Sequence, residues 1–400
     1  MNLFYFYYII ILYQYGEVSK VSNILGKIAD YFRETDKVLL SICTFASLFG
    51  CMMVMSTTNY TNSLKQFYVQ LGAFFIGIII VVIMSGFVDY ETIAKHKYII
   101  AGAAVIMVGL TFFIGYAPPG TDDKAWLVFP GGITFQPSEL LKIAFIITFA
   151  SHVSRIEKTI NKLFNLILLC IHGAIPVLII HFQGDDGSAL VIALIFISMM
   201  FAAGVKLRYF FIAIGSAVVC SPILWFLVLN DDQRIRFEAL FNPEADLYGS
   251  GWQQWRARIA MANGGWFGKG FLKGDYVQAN EIPEQYNDFI FSSIGEELGF
   301  IGLLAVLALE VAVCIRLLVI AHHARDKMGT IICSGLFGLF AAQTILNVGM
   351  CCSILPVIGI TLPFFSAGGS SMICTYLGIG LAVNVYMHRN QHVMYLNDMH

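Results

Sequence analysis

Long apolar windows separated by short polar connections run through most of the chain. An α-helix rises about 1.5 Å per residue, so about 20 apolar residues cross the ~30 Å hydrocarbon core of a bilayer. The spacing therefore predicts an all-α polytopic membrane protein. Ten such windows can be placed, at 37–56, 66–88, 98–116, 138–154, 163–182, 187–204, 208–229, 289–320, 329–354 and 368–387.

The composition agrees with this class. Charged residues make up 12% of the chain and hydrophobic residues 58%, with a mean hydropathy of +0.74, whereas ordinary soluble domains carry about 25% charged residues. The net charge of −2 gives no sign of a nucleic-acid partner. The nine cysteines lie in apolar stretches, and we interpret them as small packed side chains rather than as disulfides or metal ligands.

Basic residues indicate which connections lie in the cytoplasm. With the N-terminus inside, the inner connections and tails hold fifteen Lys and Arg residues, whereas the short outer loops hold only Lys65 and Lys124. Such an excess marks the cytoplasmic side of a membrane protein. Both termini are therefore predicted to be cytoplasmic. The long connection at about 230–287, between spans 7 and 8, is predicted to be extracellular.

The predicted membrane domain covers residues 37–389 and is flanked by two terminal segments. The first thirteen residues, MNLFYFYYIIILY, would reach only about 20 Å as a helix, which is too short to cross the bilayer. We therefore predict that residues 1–36 form an interfacial or cytoplasmic segment. Residues 390–400 are predicted to be a cytoplasmic tail.

Four carboxylates lie in the stretch PEQYNDFIFSSIGEELGFIG, residues 283–302, at the outer end of the longest apolar window. Asp288 opens this window and is either a helix cap or a reactive acid. On a continuous helix, Glu296 and Glu297 would point about 80° and 180° away from Asp288. They are therefore expected to hold the helix to its neighbours. Glu310 would lie roughly 33 Å below Asp288, too far to share its site.

Three further stretches place polar groups at the predicted outer face. In FQPSELLKIAF, Glu139 and Lys142 are three residues apart on one helical face, so they either form a structural ion pair or line a substrate path. In HFQGDDGSALV, capping of the next helix explains one of Asp185 and Asp186, but explains both less well. The irregular segment 355–371, LPVIGITLPFFSAGGSS, is expected to cover a cavity rather than face lipid.

These motifs, together with GGWFGKG, occur in the order typical of the SEDS family (shape, elongation, division and sporulation), which includes RodA, FtsW and SpoVE. The resemblance covers about Asp36 to Arg389. It implies a peptidoglycan glycosyltransferase of the bacterial cytoplasmic membrane. Such enzymes polymerise lipid II, an undecaprenyl-diphosphate-linked disaccharide-pentapeptide, at the outer membrane face. The implied partner is a class B penicillin-binding protein, a transpeptidase.

The resemblance also implies roles for individual residues. The family's catalytic aspartate corresponds to Asp288 in Asp288-Phe289-Ile290-Phe291. We expect it to act as general base on the acceptor hydroxyl, with undecaprenyl diphosphate as the leaving group. No metal-ligand cluster is visible, and a divalent cation, Mg²⁺ or Mn²⁺, at the diphosphate is an implication of the family only. The candidate substrate-binding residues are Trp126, Gln136, Ser138, Glu139, Lys142, Asp185, Arg258, Lys269, Glu284, Ser366, Ser370 and Ser371.

The sequence leaves two other functions open. The chain could carry lipid II across the membrane as a flippase, or serve as a non-catalytic membrane scaffold for a transpeptidase. A transporter would need a polar path at mid-membrane, whereas the unusual acids are predicted to lie at the outer face. The chain also departs from the family pattern, with Asn287 in place of the usual Thr and Ala367 in place of the usual Tyr.

Overall fold

A computed structural model describes residues 33–117, 124–130, 133–242, 246 and 249–389. The predicted tail at 390–400 and most of the predicted N-terminal segment lie outside the described residues. The domain boundaries proposed from the sequence therefore remain predictions.

A helix lies at each of the ten predicted windows, which confirms the all-α polytopic fold. Eight of the described helices are long and apolar enough to cross a membrane; of the other two, α4 carries Glu139 and Lys142 and α7 has only 17 residues. The ten helices are α1 (Lys37–Thr57), α2 (Lys65–Phe87), α3 (Lys97–Ile114), α4 (Pro137–Ile156), α5 (Leu163–Gln183), α6 (Asp186–Ala203), α7 (Leu207–Ile223), α8 (Ile290–His322), α9 (Lys327–Cys351) and α10 (Gly369–Met387).

Short helices and two short strands lie in the connections between the long helices. A small antiparallel hairpin precedes α4; its strands β1 (Leu127–Phe129) and β2 (Ile133–Phe135) pair Leu127 with Phe135, and the sequence did not predict them. A π-helical turn, Leu224–Val228, extends α7. The remaining short helices are Asn59–Thr61, Tyr90–Lys95, Glu157–Thr159, Asp231–Phe241, Ser250–Gly264 and Asp275–Gln278.

Helices α9 and α10 form the centre of the bundle. In their apolar windows 78% and 72% of residues are buried, against 22% for α3 and 28% for α5. No described residue of α7 is buried. Large exposed apolar side chains on the peripheral helices, such as Ile106 and Phe211, are the surface that a bilayer covers.

Helix α8 is not the single continuous span that the sequence predicts. It is broken at Gly299, whose backbone has φ 69° and ψ −167°. The two limbs pack against each other beside the break: a Cβ placed on Gly295 would lie 3.3 Å from the Leu303 side chain. In a straight helix these positions, eight residues apart, would be separated by about 12 Å of rise. The chain therefore bends sharply at Gly299.

The glycine-rich stretch GGWFGKG fills the break and caps both limbs. The amides of Lys269 and Gly270 donate to the carbonyls of Glu296 and Glu297, each at 2.9 Å. In the other direction, the amide of Phe300 donates to the carbonyl of Gly265 at 2.9 Å. These bonds satisfy the backbone groups that a helix break would otherwise leave without partners. The stretch therefore has a structural role at the helix break.

The bend corrects the expected separation of Asp288 from Glu310. Thr344 donates to the Glu310 carboxyl at 3.3 Å, and Asn347, one turn further along α9, donates to the Asp288 carbonyl at 2.8 Å. Side chains three residues apart on a helix have Cβ atoms about 5–6 Å apart. These contacts therefore place the Glu310 carboxyl within roughly 16 Å of the Asp288 carbonyl oxygen. The expected 33 Å is wrong, because it assumed an unbroken helix.

We expect Gly268→Ala to destabilise the protein much more than Gly265→Ala. Both glycines have positive φ, which costs an L-residue about 1–2 kcal/mol, but only at Gly268 would the new Cβ meet a backbone carbonyl, that of Glu297. Thermal unfolding of both purified variants measures the difference. Equal losses would show that GGWFGKG is not packed tightly against the break.

The long connection is expected to be accessible only from outside the cell. It holds no cysteine, and Lys273 is exposed on it. In a background without the nine native cysteines, Lys273→Cys should react with a membrane-impermeant maleimide on intact cells. Labelling that requires permeabilisation would reverse the topology.

Candidate active site

Asp288 lies in a tight turn that leads into α8. The amides of Asn287 and Phe289 both donate to the carbonyl of Glu284, at 3.0 and 3.2 Å, and this closes the turn. No side chain caps the N-terminus of α8. The alternative in which Asp288 serves as a helix cap therefore finds no support. Within the part of the chain that the structure describes, no hydrogen bond to the Asp288 carboxylate is seen.

The backbone around Asp288 is held from two sides. Asn347, fully buried in α9, donates its side-chain amide to the carbonyl of Asp288 at 2.8 Å and to that of Ile360 at 2.7 Å. Ser366 donates to the carbonyl of Asn287 at 2.7 Å. Segment 355–371 is thereby joined to the turn that carries the acid. Fixed main-chain contacts leave the carboxylate free while holding its position.

Gln70 of α2 holds the same segment from behind. Its side-chain amide donates to the carbonyl of Ser366 at 2.9 Å and its oxygen accepts from the amide of Gly368 at 3.0 Å. Neither Gln70 nor Asn347 was predicted. The signal for both is an amide side chain inside an apolar helix, which is costly in a bilayer unless it has partners.

The surroundings of Asp288 favour its protonated form. The residue keeps partial contact with solvent, and its carboxylate lies beside Gly359. Burial raises the pKa of Asp288 to about 7, and the negative charges of Glu284 and Asp185 act in the same direction. A carboxylate with a pKa near neutrality is a stronger base than an ordinary aspartate and is still ionised in a large fraction of molecules at pH 7.

Asp185 joins α4 to α6 near the acid. One of its oxygens caps α6 by accepting from the amide of Ser188 at 2.9 Å. The other accepts from Gln136 at 2.8 Å and from Ser138 at 3.3 Å. Three candidate residues from two motifs therefore meet, and Asp185 is close enough to act on Asp288. Asp186 instead pairs with His181 at 2.6 Å, so capping accounts for only one of the two acids.

Glu139 and Lys142 form the predicted ion pair, with 2.7 Å between Lys142 Nζ and Glu139 Oε1. Both are buried, with 7% and 1% of the residue exposed. The pairing is confirmed. Neither side chain is exposed to solvent. Their role in substrate binding stays a prediction.

Arg236 places a positive charge beside segment 355–371. It lies on the helix Asp231–Phe241, which is tied to α6 by a hydrogen bond from Gln233 to Asp186. Its guanidinium donates to the carbonyl of Val357 at 3.3 Å, two residues before the glycine that borders Asp288. Arg236 is otherwise exposed. The sequence did not single it out.

The predicted basic residues Arg258 and Lys269 lie elsewhere. Lys269, in the helix break, forms an ion pair with Asp275 at 3.6 Å, and Arg258 is exposed on the helix Ser250–Gly264. Trp126 pairs its backbone with Tyr116 in the outer hairpin region. No contact among the described residues places these three side chains beside Asp288. Their substrate-binding roles remain predictions.

Two of the candidate serines begin α10. Ser370 is buried, and Ser371 lies 3.4 Å from the Thr361 hydroxyl. Glu284 is exposed and accepts from Asn287 at 2.8 Å. Of these three, only Glu284 acts on Asp288 electrostatically.

Glu296 and Glu297 have the structural role that was predicted for them. Glu296 accepts from the amides of Tyr276 and Val277 at 2.9 and 2.8 Å. Glu297 accepts from Ser56 of α1 at 2.6 Å. Both acids therefore fasten the outer end of α8 to neighbouring segments.

The described residues contain no group of three or more His, Cys, Asp or Glu side chains placed to hold a metal ion. A cage made of protein alone is therefore absent from this part of the chain. Mg²⁺ commonly takes only one or two carboxylates and completes its shell with water and substrate phosphates.

The fold and the site together define a polytopic membrane protein with an acid of raised pKa near one end of its helix bundle. A family model described as "Cell cycle protein", that of FtsW, RodA and SpoVE, matches residues 36–391. The chain belongs to this family, which is the SEDS family.

Named relatives and solved structures agree with this membership. The chain is 32% identical over 356 residues to "Peptidoglycan glycosyltransferase MrdB" of Escherichia coli K12, covering 88% of this chain and 94% of that protein. It is 33% identical over 362 residues to "Probable peptidoglycan glycosyltransferase FtsW" of Geobacter metallireducens, with the same coverage.

Two solved structures share the fold. One, described as "Structural coordination of polymerization and crosslinking by a peptidoglycan synthase complex", has a TM-score of 0.76 at 24% identity and covers 89% of this chain and 99% of that chain. RodA of Thermus thermophilus has a TM-score of 0.66 at 24% identity, covering 89% and 98%.

Proposed function

We propose that this protein polymerises lipid II into glycan strands at the outer face of the bacterial cytoplasmic membrane, with Asp288 as general base. Family membership and the named glycosyltransferase relatives support the reaction class. The single observation that carries the role of Asp288 is its carboxylate, which has no hydrogen-bond partner among the described residues and a pKa of about 7, while main-chain contacts of Asp288 and Asn287 hold its position.

In the proposed reaction, Asp288 accepts the proton of the attacking hydroxyl as that oxygen bonds to the anomeric carbon of the donor sugar. The bond from that carbon to the diphosphate breaks, and undecaprenyl diphosphate leaves with the electron pair. A membrane-linked diphosphate suits this side of the membrane because the donor brings its own leaving group. The base is worth about 100- to 10,000-fold in rate.

The leaving diphosphate requires positive charge. Arg236 is the best-placed candidate, because its position is fixed beside segment 355–371 while its guanidinium stays exposed. Cationic side chains aimed at developing negative charge commonly supply several kcal/mol of transition-state stabilisation. A bound divalent cation would add to this charge, and no step above depends on one.

A transpeptidase of the class B penicillin-binding type is the proposed partner. The structural neighbour described as a peptidoglycan synthase that coordinates polymerization and crosslinking supports this pairing. A flippase finds less support than a polymerase, because the buried Glu139 and Lys142 satisfy each other instead of lining an open polar path.

The direct test is to incubate the purified protein with lipid II, with and without a transpeptidase partner, and to resolve the products by gel electrophoresis. Glycan strands are expected in at least one condition. Transport of lipid II across vesicle membranes without polymer would favour the flippase. Neither activity in either condition would favour the scaffold.

We expect the polymerisation rate to rise with pH and to level off above about pH 7. The base works only when ionised, so activity should fall about tenfold per pH unit below the pKa of Asp288. Initial rates of kcat/KM between about pH 5 and 9 give the midpoint. Glu284→Gln removes a nearby negative charge and should move the midpoint to lower pH.

Asp232→Asn is the matched control, since it removes the same charge from an exposed position on the outer connection. Its midpoint should stay at the wild-type value. A midpoint near pH 4 in the wild type would show that the titrating base is not the acid described here.

A further inference from the structure

A cluster of basic side chains lies at the cytoplasmic side, far from the acid site. Lys97 opens α3 and only 5% of it is exposed, yet its sole hydrogen-bond partner in the described residues is the neutral hydroxyl of Ser151 at 2.7 Å. No carboxylate lies within ion-pair distance of it in that part of the chain. Buried cations ordinarily have a counter-ion.

Two histidines extend the cluster. Nδ1 of His152 on α4 lies 3.1 Å from Nδ1 of His172 on α5, and the rings stack with centroids 5.3 Å apart. One nitrogen of this contact must donate and the other accept. Nε2 of His172 contacts the Thr148 hydroxyl at 3.2 Å. Nε2 of His152 has no partner among the described residues.

The charges that act on these side chains are all basic. Arg155, exposed on the last turn of α4, acts on both Lys97 and His152, and Lys97 acts on both histidines. Helices α3 and α5 each pack against α4 but contact each other little. The cluster therefore lies on α4 between two peripheral helices, with the lipid-facing surface on either side.

We propose that this cluster, Lys97, His152, Arg155 and His172, is a binding site for the phosphate of an anionic phospholipid in the inner leaflet. A phosphodiester would supply the missing negative charge and accept hydrogen bonds from Lys97, His152 and Arg155. The peripheral position explains why a lipid and not a protein segment provides the anion: acyl chains can lie along the exposed apolar faces of α3 and α5. Basic pockets between helices at the cytoplasmic side suit such headgroups.

The site is distinct from the proposed reaction centre. Lys97 and Arg155 belong to the cytoplasmic ends of α3 and α4, whereas Gln136 and Ser138, which bond to Asp185, belong to the outer end of α4. An α-helix of the length of α4, 20 residues, separates its ends by about 30 Å. Lipid binding can therefore be measured without any assay of polymerisation.

The test is native mass spectrometry of the full-length protein equilibrated with equal amounts of phosphatidylglycerol and phosphatidylcholine. The wild type should retain phosphatidylglycerol selectively. Lys97→Met, which keeps the length of the side chain, should lower its occupancy about fivefold, the loss expected for one basic residue at an anionic surface. Lys158→Met, an exposed change on the same side of the membrane, should bind as the wild type does.

Thermal unfolding gives a second measurement, because a ligand stabilises the state that binds it. Adding phosphatidylglycerol to detergent micelles that contain phosphatidylcholine should raise the Tm of the wild type and of Lys158→Met by more than that of Lys97→Met. His152→Gln serves the same purpose if Lys97→Met does not fold. Equal retention of the two lipids by the wild type would overturn the proposal.

A third arm separates the two sources of phosphate. Inorganic phosphate added at millimolar concentration should leave bound phosphatidylglycerol in place. Displacement by inorganic phosphate would assign the cluster to a soluble anion and overturn the lipid assignment.

Discussion

Asp288→Asn should lower lipid II polymerisation by about 100- to 10,000-fold, the usual worth of a general base. The substitution keeps the size of the side chain and removes only its ability to take a proton. It should not unfold the protein, because the contacts that hold this segment are made by the Asp288 carbonyl and its neighbours. Gel-resolved polymer formation and thermal unfolding should be measured on the same preparations.

The stability measurement has a definite sign. A carboxyl whose pKa is raised from 3.8 to about 7 on folding destabilises the folded state as pH rises through that range, because the ionised form is disfavoured there. At pH 8 the Asn variant should therefore unfold at the same temperature as the wild type or above it. Polymer formation within about threefold of wild type would remove Asp288 from the mechanism.

Lys142→Met should destabilise the protein by about 3–5 kcal/mol, because it leaves the Glu139 carboxylate buried without its counter-charge. The double variant Glu139→Gln with Lys142→Met should recover most of this loss, since it removes both charges. Thermal unfolding in detergent measures both variants. Equal stability of the single variant and the wild type would mean that water reaches the pair.

The charge-swapped variant, Glu139→Lys with Lys142→Glu, separates structure from function. It should fold with stability close to that of the wild type. If the pair also contacts substrate, the swapped protein should be folded and inactive, which is the outcome that we expect. A fully active swapped protein would limit the pair to a structural role.

Long apolar windows were sufficient to locate the long helices of the described residues, because a bilayer sets both the length and the polarity of a span. Asp288 was also singled out from its local motif, and Gln136, Ser138 and Asp185 were named as candidates through the family resemblance, but their meeting at Asp185 was not predicted. Asp288 and Asp185 were visible because ionisable groups are rare in apolar surroundings, so each one demands a partner or a function.

The bend at Gly299 could not be predicted in the same way. Its neighbours EELGFIG are compatible with a continuous helix, and the break exists only because GGWFGKG, thirty residues earlier in the chain, provides replacement hydrogen bonds. The role of Asn347 depends on the same long-range geometry. Arg236 was missed because a basic residue in a long outer connection has no local mark of its position.

The broken helix separates two properties that one span would normally couple, namely anchorage in the bilayer and the placement of the acid. Deleting one residue between 290 and 298 would leave the limb from 300 to 322 crossing the membrane as before. The same deletion would move Asp288 by about 1.5 Å along the first limb and rotate it by about 100°, away from Asn347. Length changes in the first limb should therefore be strictly excluded among functional variants of this chain, even though they cost nothing in membrane insertion.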